Sequence, residues 1–297
     1  MGTPKETHQI PDEDWIASIA AINDLEESSY IVALYNGSVS LYTDHLLKLR
    51  DSASTEQLKA VKSLPTPVDN LHYVLSGGYS EKIVISKLST VEPAGGLTQL
   101  AECVGSNATI QALDVSPLLD GLFCSAASNS ISVWRIPEDI LDSQPHIKKK
   151  KKKALLNTHT IQPEGSETIH ESDILSLIWS NNNQLCSSSM DHTICITDVE
   201  RLQKNTSIRT GDSVPTSIDT RFDTILSSHE DGYVRLWDQR QPTTCVKKFK
   251  SHTKYASCVK FSASPFVFCS VSLVLCRLPT TIQSSYGTHV QSSRCRR

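Results

Sequence analysis

A twelve-residue pattern that occurs twice at a fixed distance constrains this chain more than any other feature. Ser227 to Asp238 reads SSHEDGYVRLWD: a small-residue strand, an acidic tight turn at Asp231-Gly232, and an alternating apolar strand closing on Trp237-Asp238. Ser187 to Asp198, SSSMDHTICITD, lies over it without a gap, with Asp191 matching Asp231 and Thr197 in place of Trp237. The two closing positions, Thr197 and Trp237, are 40 residues apart. Units of this size cannot bury an apolar face alone and are read as stacked neighbours sharing a core.

Three weaker copies come earlier. ALYNGSVSLY ends at Tyr42, SGGYSEKIVIS at Ser86 and SAASNSISVW at Trp134, so the closing positions are spaced by 44, 48, 63 and 40 residues. The long interval contains an insertion. A sixth unit opens at His252 and runs through ASCVKFS to VFCSVS without reaching a closing Trp-Asp. Within each unit, period-2 alternation is punctuated by Gly, Asn, Asp and Ser, which is hairpin chemistry. Only Leu46 to Leu64 could contain a helix. The period and the strand content predict an all-β WD40 β-propeller of the seven-bladed type, truncated to five or six blades. The expected organisation is a disordered start over 1–13, the propeller over 14–272, a Lys-rich insertion loop at 137–168 and an irregular tail at 273–297.

The recurring residues have a structural reading. A His before the first strand and the Asp of the tight turn can hydrogen-bond within a blade, while a buried Trp needs a partner for its N–H. His170, Asp191, Asp231, Trp237, Trp134 and His252 are the candidates for this network. Catalysis has little to rest on. No GxxxxGK[ST], GxSxG, HExxH or GxGxxG is present, so the common phosphate, hydrolase, zinc-protease and dinucleotide signatures are missing. His229, Glu230 and Asp231 are assigned to a repeat turn, and no cofactor or metal is expected.

Composition narrows the setting. The chain has 297 residues and a formal net charge of −3, with no apolar run near the roughly 18 residues of a membrane span. Its nine cysteines form no CxxC pair; several, including Cys124, Cys186 and Cys258, fall in apolar strand-like runs and are expected to be reduced, buried thiols. The densest charge is the run Lys148, Lys149, Lys150, Lys151, Lys152, Lys153. It is expected to lie in a solvated loop, where it could direct nuclear import or contact RNA phosphates. Arg294, Arg296 and Arg297 are read as part of a frayed end. Tyr233, Arg235, Lys254 and Tyr255 are candidate partner contacts, because interface energy concentrates in Tyr, Trp and Arg.

These residues together resemble a known family. EDWIASI (Glu13 to Ile19) followed by GSVSLY is similar to the start of the propeller in the WD-repeat subunit of the pescadillo–Bop–WD-repeat complex, a nucleolar assembly factor for the large ribosomal subunit. HESDILSLIWSNNNQLCSSSMDHTICITDVERL (His170 to Leu202), HEDGYVRLWDQRQ (His229 to Gln241) and SHTKYASCVKFSASP (Ser251 to Pro265) continue in that family's order. The Lys-rich insertion is also in place. The resemblance implies a non-catalytic scaffold for rRNA processing in nucleolus and nucleoplasm. The expected partners are Bop-type and pescadillo-type proteins, the pre-ribosomal particle and its rRNA. The family's ubiquitin-like domain is the handle for a midasin-type ATPase; with only about a dozen residues before the expected propeller in this sequence, that contact is not expected to carry over. The rival reading is a generic WD40 adaptor in ubiquitin-ligase, trafficking or chromatin assemblies.

Overall fold

Short segments rich in Ile, Val and Ser, broken by Asn, Gly and Asp turns, form hairpin after hairpin along the chain. The computed structural model describes residues 16–23, 28–43, 48–53, 56–64, 71–89, 97–117, 121–141, 159–180, 183–262, 267–274 and 287–294. The entry residues 1–13 and the run Lys148 to Lys153 lie outside the described residues.

The first sheet runs β1 (Ile16–Asn23), β2 (Ser28–Leu34), β3 (Ser38–Thr43) and β4 (Lys48–Ala53). Then come β5 (Leu58–Ser63), β6 (Leu71–Gly78), β7 (Lys82–Ser89) and β8 (Leu97–Val104), followed by β9 (Ile110–Val115), β10 (Leu122–Ala127) and β11 (Ser130–Arg135). A single helical turn, α1 (Glu138–Leu141), precedes β12 (His159–Ile161) and β13 (Gly165–Thr168). Two regular four-strand runs follow: β14 (Ile174–Trp179), β15 (Gln184–Ser189), β16 (Thr193–Asp198) and β17 (Gln203–Arg209), then β18 (Pro215–Arg221), β19 (Thr224–His229), β20 (Tyr233–Asp238) and β21 (Cys245–Lys250). The last sheet is β22 (Ala256–Phe261), β23 (Val267–Val274) and β24 (Gly287–Arg294). Five sheets of four or five strands and a sixth of three are the blades of a WD40-type β-propeller.

Two compact units divide the chain: residues 1–115 with 135–163, and residues 116–134 with 164–297. In the first unit, Ile22, Ile31, Leu41, Val61, Val74 and Leu88 fill the core between the first two sheets. β9 is tied to β5 there, with Lys62 Nζ 2.8 Å from Asp114 Oδ1. In the second unit, Cys186, Ile194, Ile208, Ile218, Ile225 and Trp237 form one cluster, and Leu226, Val234, Val259 and Phe268 another. Middle strands are buried on both faces: all six residues of β10, and five of six in β15 and β19. That double burial is why they read LFCSAA, QLCSSS and TILSSH; small residues let flanking sheets approach.

The repeat is also written in the pairing. A register shift breaks β3–β4 at Leu41/Tyr42, β7–β8 at Ile85/Ser86, β16–β17 at Ile196/Thr197 and β20–β21 at Leu236/Trp237. These are the closing positions of four of the sequence repeats, each marked by an extra residue that bends the strand.

Four expectations are corrected. Leu46 to Leu64 contains β4 and β5 in place of a helix; Leu58, Ala60 and Val61 are buried against the core while Lys59 and Lys62 stay partly exposed. The alternation, interrupted by a bulge between Leu58 and Ala60, satisfies a strand ladder and leaves no helical stripe. The insertion expected as a loop over 137–168 opens on α1 and closes on β12 and β13, while 142–158 lie outside the described residues. β12 adds in parallel to β8 and β13 pairs antiparallel with β11, each satisfying a sheet edge. The tail expected to be irregular after 272 carries β24, paired with β23 from Val267↔Arg294 to Val274↔Gly287. That ladder engages β23's second edge; Arg294 ends it, and Arg296 and Arg297 lie outside the described residues. Cys258 is exposed, not buried, whereas Cys103, Cys124, Cys186 and Cys195 are buried free thiols. Burial pushes the Cys103 and Cys186 thiols up to about 12, so both stay protonated and unreactive.

Candidate functional site

Where a sheet is buried on both faces, a polar side chain inside it is costly unless it finds a partner. In the β14–β17 sheet His170 does so twice. Its Nε2 lies 2.8 Å from Ser187 Oγ and its Nδ1 2.9 Å from Asp191 Oδ2. With Nδ1–H donating to the carboxylate, Nε2 accepts from the Ser187 hydroxyl. Asp191 also accepts the Glu171 N–H at 3.0 Å and the Thr193 hydroxyl at 2.6 Å. Burial pushes the His170 imidazole down, but Cys195 Sγ at 3.7 Å and the Asp191 carboxylate hold it above its ordinary value. Burial raises Asp191 likewise, and the Thr193, Glu171 and His170 donors more than reverse it. At the closing position Thr197 is fully buried and its hydroxyl has no partner.

The β18–β21 sheet reaches a similar arrangement from different residues. Trp237 Nε1–H donates to Ser227 Oγ at 2.8 Å, and Ser227 Oγ lies 2.8 Å from His229 Nε2. His229 Nδ1 faces the Ser213 carbonyl at 3.2 Å, so Nδ1 carries the proton and Nε2 accepts the serine hydroxyl. The repeat offset places Thr210 where the previous blade has His170. His229, read from sequence as part of the turn, is the last residue of β19 and fully buried. Burial, reinforced by the Arg235 charge, lowers its pKa to about 3. Asp231 takes no part in that relay. Its carboxylate accepts Arg235 Nη1 at 3.2 Å and Nη2 at 2.6 Å.

The remaining network candidates each hold one serine. Trp134 Nε1–H donates to Ser125 Oγ at 2.9 Å and the indole stacks on Phe123. His252 Nε2 lies 2.9 Å from Ser270 Oγ. Sequence reasoning singled out the His, Asp and Trp residues and missed Ser125, Ser187, Ser227 and Ser270, together with His229. A signal was present: a serine precedes each closing Trp by nine or ten residues, at Ser125/Trp134 and Ser227/Trp237.

The candidate partner contacts separate into two groups. Arg235 is buried and engaged by Asp231, so it is withdrawn as an exposed anchor, and Tyr233 is half-buried beside it. Lys254 and Tyr255 are exposed in the β21–β22 connection, near the β19–β20 turn that carries exposed Glu230. Tyr255 is raised by partial burial and by the Glu230 charge. Met190, half exposed, occupies the equivalent turn of the preceding sheet. Lys254, Tyr255 and Glu230 thus offer an aromatic and charged surface at that turn, and Met190 an apolar side chain at the equivalent turn of the preceding sheet.

Residues 162–198, which contain the His170–Ser187–Asp191 relay, match the family model described as WD domain, G-beta repeat. That segment is a WD repeat. The chain's likeness to curated relatives extends well beyond that segment. It is 23% identical over 281 residues to the ribosome biogenesis protein WDR12 homolog of Nematostella vectensis, covering 88% of this chain and 64% of that protein. The Arabidopsis thaliana protein of the same name is 25% identical over 169 residues, 54% of this chain and 39% of its own length. The Drosophila erecta counterpart is 22% identical over 268 residues, 87% of this chain and 60% of its own. The chain therefore spans less than two thirds of the length of each of these relatives.

Proposed function

We propose that this WD-repeat protein is a non-catalytic scaffold in nucleolar assembly of the large ribosomal subunit and in the accompanying rRNA processing. The observation that carries the reading is the likeness to ribosome biogenesis proteins along 87–88% of the chain. The polar chemistry supports binding over catalysis. The imidazoles of His170, His229 and His252 are buried and held by serines inside sheets, which makes them parts of the framework. Exposed turn residues such as Tyr255, Lys254 and Met190 supply the means of contact. In this reading Bop-type and pescadillo-type proteins are held at the turn ends, the Lys148 to Lys153 run serves nuclear entry or rRNA contact, and no bond is made or broken.

Affinity purification of the tagged chain from nuclear extract, with mass spectrometry and northern analysis of bound RNA, tests this. Pescadillo- and Bop-type proteins with large-subunit rRNA precursors are expected. Recovery of a ubiquitin-ligase, trafficking or chromatin complex in their place would replace this function with that of a general adaptor.

A further inference from the structure

We propose that the outer edge of β21 is a docking strand for an extended acidic segment of a partner protein. β21 ends its sheet in the order β18-β19-β20-β21, so one of its edges is unpaired among the described strands. It reads CVKKFK, with three lysines and no acid, in a chain whose net charge is negative. Lys248 stands opposite Arg235 and Lys250 opposite Tyr233 on β20. The neighbouring carboxylates are already engaged: Asp231 by Arg235 and Asp238 by Arg240. Lys248 and Lys250 consequently have no ion pair among the described residues.

The geometry selects an extended peptide. Same-face residues on a strand are about 6.6–6.8 Å apart, and a strand laid alongside presents side chains at the same interval, about 4.5–5.5 Å across. Acidic residues at alternate positions would therefore meet Lys248 and Lys250 together while the backbone pairs with the open edge. Val246 stands out of register between Cys245 and Lys247 and is 60% exposed, offering an apolar contact at one end. Phe249 anchors the strand from its other face, 5.1 Å from Phe268. The chain already uses this mode internally, since β12 adds to the last strand, β8, of another sheet. A second copy docking edge to edge would set lysines against lysines. RNA could engage the lysines but could not extend the ladder.

The test uses the full chain and a fluorescein-labelled peptide of alternating glutamate and valine, with oligouridylate in parallel. The peptide is expected to bind and to slow amide hydrogen exchange along β21. The double variant Lys248→Glu/Lys250→Glu should weaken it by at least about tenfold. Lys248→Gln/Lys250→Gln should weaken it less, and an unchanged Tm would show that both variants fold. No peptide binding, unchanged affinity in the charge-reversed variant, or no protection of β21 amides would overturn the proposal. So would binding of oligouridylate through these lysines with the peptide excluded.

Discussion

His229 Nε2 lies 2.8 Å from Ser227 Oγ, the same separation that joins His170 Nε2 to Ser187 Oγ one sheet earlier. The serines are equivalent by the repeat, but the histidines are not. His170 enters before its sheet's first strand, whereas His229 arrives two residues beyond its serine on the same strand. The same buried hydroxyl is thus served from two positions in the chain.

Ser227 should be a point of weakness. Ser227→Ala strands both the Trp237 N–H and His229 Nε2 inside the sheet. Unpaired buried groups of this kind should together lower stability by on the order of 2–4 kcal/mol. Urea unfolding read by tryptophan fluorescence checks this; a change no larger than that of an exposed serine substitution would contradict it.

The two histidines should give opposite pH dependences. His229 has a folded pKa of about 3 against 6.5, so the unfolded chain takes up a proton that the fold refuses. Its contribution is intact above pH 6.5 and is lost as pH falls; by pH 5 about 2 kcal/mol should be gone. His170 is raised, so its contribution is present below pH 6.5 and is lost as pH rises through the raised value. Stability measured from pH 5 to 8 in His229→Gln should lose the acid-side decline, and in His170→Gln the decline at higher pH.

Turn geometry yields a pair of opposite substitutions. Gly232 has φ +81°, and a Cβ there would come within 2.5 Å of the carbonyl oxygens of His252 and Lys254. Gly232→Ala should cost about 2–4 kcal/mol. His192, at the equivalent turn position, adopts φ 63° without being glycine. His192→Gly should relieve that strain and raise stability by about 1 kcal/mol. Thermal unfolding of both variants checks the opposite signs.

Thr197 carries a buried hydroxyl without a partner. Thr197→Val keeps the shape and removes the unsatisfied group, so a gain of about 1 kcal/mol is expected. Equal or lower urea midpoints would show that the hydroxyl does find a partner in solution.

Much of the fold was legible in the sequence because strands record their surroundings every second residue. Tyr42, Ser86, Thr197 and Trp237, picked out as closing positions by the repeated strand-turn-strand pattern, are where the structure places its bulges. The buried relay was half legible. His170, Asp191 and Trp237 stand out because such residues are rarely buried without cause, but Ser187 and Ser227 look like any small residue in a tightly packed strand.

By itself the sequence determined the period, the strand character and the residues that close each unit, since all three follow from alternation and local turn chemistry. Only the tertiary structure decided that His229 stands in for a missing histidine, because that depends on which carbonyl, here Ser213, lies across the strand. It also decided that Leu46 to Leu64 forms two strands and that β12 and β24 join sheet edges. Those outcomes rest on which strand each segment pairs with, β4 with β3, β5 with β6, β24 with β23 and β12 with the distant β8, and strand pairing is set by packing context more than by local preference.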